Sequence, residues 1–346
     1  MTKYRSLSRR KFLQVASAAT AATGLAASGA RFAAAQAQPI VMKLATATIN
    51  EAQHEWMKRF AAGVEKDSGG RIKGEIYPAS QLGSIPRQIE GTQFGQIQGW
   101  VGPPEFLAGV DARYEVLSAP GLFKTPPHAQ KTLWDPEFSK ALFGLGANKG
   151  LHGVSAFMYC PASINTRKEV KGLADLKGLK LRVLAASLQQ EQIRRMGATP
   201  VPMALGDVLP ALQQGAIDGV MSGTPVLTAM RFYDAAKFML ESNQSYITVI
   251  VVLSKEWFDK LPADLKTIVT ANAQKAGASI FDWVTDLNQR QEKAWIAAGG
   301  TITRLPPAEY DAMMKSLATV GDDVLKDKPM VKQMYDLLVA AAKRHA

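Results

Sequence analysis

Cysteine is almost absent: Cys160 is the only one in 346 residues. No disulfide can form within the chain, and there is no C-x-x-C pair, no cysteine set for an iron–sulfur cluster and no C-x-x-C-H haem attachment. The four histidines, His54, His128, His152 and His345, are scattered without metal-ligand spacing. No G-x-G-x-x-G follows a strand signal, no Walker loop is present, and the G-x-S-x-G elbow of hydrolases is missing. The sequence therefore offers no cofactor site, no metal site and no catalytic constellation. Long apolar runs are lacking too. After the N-terminal region the longest, Ile247 to Leu253, suits a buried strand and is far too short to span a bilayer.

What is present begins with an address. Ser8-Arg9-Arg10-Lys11-Phe12-Leu13 precedes an Ala-rich run from Val15 to Ala27, and Ala35-Gln36-Ala37 has the A-x-A form of a cleavage site. That order is the layout of a twin-arginine signal over residues 1–37 and predicts a periplasmic protein. The whole chain carries +11, but six of those charges are Lys3, Arg5, Arg9, Arg10, Lys11 and Arg31, with no acid beside them; the remainder carries +5. So small a surplus argues against nucleic acid as a partner, while favouring the approach of small anions.

The remaining residues, about 310, suffice for two lobes with real cores. Strand and helix signals alternate, which predicts an α/β fold. Ile40 to Ala47, Arg71 to Tyr77 and Gln96 to Val101 read as strands, separated by helices from Glu51 to Lys66 and from Ile85 to about Phe94. A second series follows Pro161: strands at Leu179 to Leu184, Thr199 to Met203 and Ile217 to Met221, with helices closed by Gly197 and Gly215 between them. Beyond the strand at Ile247 to Leu253, a long helical region runs from Pro262 to about Ala298. Gly299-Gly300 breaks it, and two further helices are expected after Leu305. This pattern predicts two lobes around a central cleft: residues 38–160 with 247–280, and residues 161–246 with 281–346 including the C-terminal helices. Ligands of such folds sit between the lobes.

The stretch from Leu176 to Pro225 narrows the reading. It holds Asp175 with Lys177-Gly178-Leu179-Lys180-Leu181-Arg182, then Gly197-Ala198-Thr199-Pro200-Val201-Pro202-Met203, Asp207-Val208, Ala211-Leu212-Gln213-Gln214-Gly215 and Ile217-Asp218-Gly219. In order and spacing this resembles the solute-binding receptors of tripartite ATP-independent periplasmic (TRAP) transporters. Tyr77 to Gly83, Ala119 to Phe123, and Trp257 with Leu261-Pro262 extend the resemblance over nearly the whole chain after the signal. It implies a two-lobed, periplasmic-binding-protein-like fold with a hinge and long C-terminal helices. It also implies a non-enzymatic receptor that closes on an organic acid and delivers it to membrane permease subunits. An exported enzyme acting on a small organic acid, or a receptor feeding a sensor, are the alternative functions.

The resemblance assigns Arg182 to the ligand carboxylate. A guanidinium is always charged and presents a planar fork that matches a carboxylate. Three departures from the family pattern remove polar groups from the expected pocket. Pro161 and Ala162 stand where an extra arginine is common, Leu205 where phenylalanine is common, and Met221-Ser222-Gly223-Thr224 where an asparagine is common. They favour a smaller or more apolar monocarboxylate. Topology adds Thr48 and Asn50 at the start of a helix, where anions are welcome, although Asn50 suits a cap equally well. Trp100 and Tyr246 fall at strand ends, Gln81 lies in a loop, and Arg167 offers a second cation.

Overall fold

The computed structural model describes residues 38–346; the twin-arginine segment and its cleavage pattern lie outside the described residues. The first sheet is built from β1 (Ile40–Ala45), β2 (Ile72–Tyr77), β3 (Gly99–Gly102), β4 (Leu151–Pro161) and β10 (Tyr246–Ser254), in the order β2-β1-β3-β10-β4. β1 pairs in parallel with β2 and β3, while β10 runs antiparallel to both β3 and β4. Helix α1 (Ala52–Asp67) buries Trp56, Phe60 and Val64 on one face, as their spacing dictates. The Glu51 carboxylate accepts from the Gln53 and His54 amides and so caps its start. Gly69 and Gly70, both at positive φ, end the turn that follows.

The second sheet takes β5 (Ser163–Thr166), β6 (Lys180–Val183), β7 (Thr199–Pro202), β8 (Gly219–Ser222), β9 (Phe238–Glu241) and β11 (Thr301–Arg304), in the order β11-β9-β5-β8-β6-β7. Between these strands lie α5 (Ser187–Arg195), α6 (Leu205–Gln214) and α7 (Thr224–Ala229). The left-handed Gly215 closes α6, the role its place in the sequence predicts.

Two crossings join the sheets. β4 passes through Ala162 into β5, and β9 passes through residues 242–245 into β10. The crossings are bonded to each other: the Ala162 amide donates to Ser245 at 2.9 Å and the Asn243 amide to Ala162 at 3.0 Å. Helix α9 (Ala263–Ala297), 35 residues and about 50 Å long, packs on α1 and β4 of the first lobe and on α7 and β11 of the second. It approaches β4 closely only because residue 277 is glycine; a Cβ there would come within 2.4 Å of Ser155 Oγ.

The C-terminal part differs from expectation. Three helices follow β11, not two: α10 (Pro307–Leu317), α11 (Val320–Leu325) and α12 (Pro329–Arg344), because Lys328-Pro329 interrupts the run and restarts it. The sequence reading groups residues 281–346 with the second lobe. Helix α11 does pack on α5, but α12 lies on α3 (Pro126–Leu133) and α4 (Pro136–Gly144) beside the first sheet. Arg344 explains the preference: it donates to both carboxylate oxygens of the buried Asp135, at 2.9 and 2.7 Å, and Asp135 also caps α4. Among the described residues no helix is long and apolar enough to cross a membrane.

Candidate functional site

A cavity with about 580 Å3 of empty space, its mouth included, lies between the two sheets. The ends of β1, β3 and β4 supply one wall, through Thr48, Trp100 and Tyr159, with Phe106 from the 3-10 turn Pro104–Leu107. The facing wall is β6, α6, β8 and α7, through Arg182, Leu205, Met221, Ser222 and Val226. Ile85, Leu184 and Ile247 add further apolar surface. Small pockets of this kind, apolar with a few placed polar groups, are the usual form of a ligand site.

Arg182 sits on β6, is 2% exposed, and is, among the described residues, the only cationic side chain in the lining. Its Nε donates to the Met203 carbonyl at 2.9 Å, which fixes the plane of the guanidinium. Its Nη2 has no acceptor. Burial lowers its pKa to about 10, with the Glu105 carboxylate opposing the shift, so the group stays charged at neutral pH. Glu105 lies behind the cavity wall, 2% exposed. Ser118 Oγ donates to it at 2.6 Å and Gln189 Nε2 at 3.4 Å. Burial pushes its pKa up to about 7, against those hydrogen bonds and the Arg182 charge.

On the facing wall the residues are neutral but hydrogen-bonding. Thr48 Oγ1 donates to the Glu51 carboxylate, which also accepts from the Gln53 amide at 3.1 Å. Burial raises the pKa of Glu51 despite these bonds. Trp100 is 1% exposed, and its indole Nε1 has no partner; Tyr159 is fully buried, and its hydroxyl faces the Glu51 carboxylate. Residue 102 must be glycine for the indole to lie as it does, since a Cβ there would come within 2.4 Å of its Cζ2.

Of the residues singled out in the sequence, Arg182, Thr48, Trp100, Leu205 and Ser222 line this cavity. Four do not. Tyr246 precedes a register shift in the β10–β4 pairing, and its ring packs edge-on against Phe123 while Ile247 takes the cavity position. Asn50 is exposed, at φ 58°, and donates its backbone amide to His54; the capping residue is Glu51. Arg167 is exposed just past the end of β5, and Gln81 is exposed in the loop after β2. The sequence reading missed Tyr159, Gln53, Gln189 and Phe106. Tyr159 lies in a strand buried along almost its whole length, so no alternation marks it. Among the described residues no group of His, Cys, Asp and Glu is placed to hold a metal ion. Cys160 is buried, and burial pushes its thiol well above the usual range.

Comparison with known proteins agrees with this geometry. Residues 45–327 match the model of the family described as bacterial extracellular solute-binding protein, family 7. Among curated relatives, the 2,3-diketo-L-gulonate-binding periplasmic protein YiaO of Escherichia coli is 29% identical over 66% of this chain and 69% of its own. The C4-dicarboxylate-binding periplasmic protein DctP of Rhodobacter capsulatus is 25% identical over 85% of this chain and 89% of its own. Among solved structures, a sugar acid binding protein from Advenella mimigardefordensis in complex with galactonate superposes with a TM-score of 0.84 at 23% identity, covering 89% of this chain and 99% of that one. A TRAP periplasmic solute-binding protein from Desulfovibrio salexigens with bound orotic acid gives 0.83 at 22% identity, over 88% and 99%. The two-lobed α/β fold is thus that of TRAP receptors. The chain belongs to family 7 of the bacterial extracellular solute-binding proteins.

Proposed function

We propose that this protein is a periplasmic receptor that closes on a small organic carboxylate and hands it to the permease subunits of a TRAP-type transporter. The observation that carries the reading is Arg182: a buried cation with an unpartnered Nη2 in the wall of an otherwise largely apolar cavity between two lobes. A buried guanidinium without a counter-ion inside the site is costly, and an entering carboxylate supplies one in the geometry the fork prefers. No bond needs to be made or broken for this task. The hinge is the pair of bonded crossings at Ala162 and Asn243–Ser245, about which the lobes separate and close. The first and second sheets, with the elements packed on them, are the two bodies that move. Export by the twin-arginine route would place the receptor where its ligand arrives.

The lining favours a monocarboxylate with an apolar body. One cation meets one carboxylate, and Leu205, Met221 and Val226 offer nothing to a second charge or to a row of hydroxyls. Relatives are named for diketogulonate and for C4-dicarboxylates, so ligand class is the point on which this chain would diverge. A thermal-shift screen tests it, because a ligand that binds only the folded form raises the Tm. Short branched or aromatic monocarboxylates should give the largest shifts, with succinate and galactonate giving little. A largest shift from a sugar acid would overturn the apolar reading, and no shift from any carboxylate would overturn the receptor assignment.

A further inference from the structure

Helix α5 packs on β6 and β7 of the second sheet, yet the first lobe caps it. Ala186, its own N-cap residue, makes no side-chain bond to the helix. The bond comes instead from Glu115, in the 3-10 segment Ala112–Ser118 that lies after β3 and packs against β10. One oxygen of the Glu115 carboxylate accepts from the Ser187 amide at 2.8 Å and from the Ser187 hydroxyl at 2.7 Å. The other accepts from Lys328 Nζ at 3.1 Å, and the same ammonium donates to Ser187 Oγ at 2.8 Å. Lys328 stands between α11, which packs on α5, and α12, which packs on α3 and α4, so the chain passes from one lobe to the other at this lysine. Glu115 is 4% exposed, which leaves its carboxylate little room to follow a moving partner. Two further bonds join the same regions: Gln192 Nε2 donates to the Ser118 carbonyl at 2.6 Å, and Gln189 Nε2 to Glu105 at 3.4 Å.

We propose that Glu115, Ser187 and Lys328 form a latch between the lobes, made when they close and broken when they part, which sets the receptor's affinity from outside the cavity. This rests on the reading of the protein as a receptor that closes on its ligand. None of the three residues lines the cavity. Ser187 donates through its backbone amide and a short side chain, so it cannot stay bonded across a widening gap. In the open form the first amides and the positive end of α5 are left to water; in the closed form an anion satisfies them. That difference favours the closed state alone, and every ligand held by closure gains from it equally.

Titration calorimetry and stopped-flow kinetics on the purified protein test this with 3-methylbutanoate, benzoate and succinate. Glu115→Ala should weaken every one of these acids that binds the wild type by about tenfold, the scale of a lost helix cap. The factor should be the same from acid to acid to within about twofold, because the latch touches none of them. The loss should lie in faster dissociation, with the association rate changed by less than about twofold. Lys328→Met keeps the stem of a partly exposed side chain and should cost about threefold. Added to Glu115→Ala it should cost little more, since the lysine acts largely through that carboxylate. Should Glu115→Ala fail to fold, Lys328→Met decides alone, by a faster dissociation or by none. Unchanged affinity in the folded variants, a loss confined to association, or a factor that differs several-fold between acids would overturn the latch and leave the receptor reading standing. Failure of all three acids to bind the wild type would instead overturn the carboxylate reading of the cavity, and this inference with it.

Discussion

The two walls of the cleft differ in what they offer a ligand. The second-lobe wall holds the charge: Arg182, set among Leu205, Met221 and Val226. The first-lobe wall holds no cation and instead presents Thr48, Trp100 and Tyr159, neutral groups on the ends of three strands. A cation in aliphatic surroundings attracts any carboxylate and tells little between them. Aromatic side chains locked by packing present a fixed shape to a ligand. On the proposed reading, affinity resides on one lobe and selectivity on the other, and closure would be the step at which a ligand is judged.

The largest expected effect removes the charged wall. Arg182→Ala should weaken every carboxylate ligand by at least ~100-fold, in keeping with the 2–5 kcal/mol lost when one partner of a buried charge pair is removed. Calorimetry across several acids measures it. Arg182→Lys, which keeps the charge and loses the fork, should recover part of the affinity. An alanine variant that binds like wild type would break the comparison, because the charge would then be read elsewhere.

The second test asks whether the charged wall is buffered from behind. Glu105 has a pKa of about 7 while Arg182 is its opposing charge. A bound carboxylate puts a second negative charge near Glu105 and favours its protonated form. The raised carboxyl is mostly protonated below pH 7 and ionised above it, so affinity should be flat in acid and fall as pH rises through 7. Between pH 6 and pH 8 the expected loss is at most about tenfold, with up to one proton taken up on binding at pH 8. Calorimetry in buffers of different ionisation enthalpy counts that proton. Glu105→Gln should flatten the profile and tighten binding at pH 8. An unchanged slope would mean that Glu105 does not feel the ligand.

A third, smaller effect sharpens the aromatic wall. Gly102→Ala places a methyl where the Trp100 ring lies, 2.4 Å from Cζ2. Overpacking of this kind costs about 1–3 kcal/mol. The Tm should fall by several degrees, and ligand affinity should fall several-fold as the indole is displaced. If neither changes, the seat of Trp100 is looser than its contacts indicate.

How much of this was legible depends on whether a residue's role is local. The strands and helices of the two α/β series follow from periodicity and from stops such as Gly69-Gly70 and Gly215, because those signals act within a few residues; β4, β5 and β9, and the helices α3, α4 and α7, were not marked. Arg182 was legible through its motif, and Trp100 and Thr48 through strand ends. Tyr246 went wrong by one residue: strand parity alone puts a side chain on one face or the other, and the register shift after Ile247 is set by the partner strand. Glu105 and Tyr159 were silent because their significance is in contacts distant along the chain, with Ser118, Gln189 and Arg182 for one and the cleft for the other. The placement of α12 was hidden for the same reason, since its anchor, Asp135, lies 209 positions before Arg344.

The smallest effect is expected at Ser222, and it is the most discriminating for the division between the walls. Ser222 ends β8, is half-buried and lines the cavity on the charged side. If that lobe contributes attraction and apolar contact alone, its hydroxyl has nothing specific to bind, and Ser222→Ala should change the Kd of a monocarboxylate by less than about threefold, the range of a weak or absent neutral hydrogen bond. Exposed Arg167 and Gln81, outside the cavity, serve as references whose alanine variants should be silent. A tenfold loss at Ser222 would place a polar reader beside Arg182. The second lobe would then select as well as attract, and the ligand would carry a hydrogen-bonding group on both of its faces.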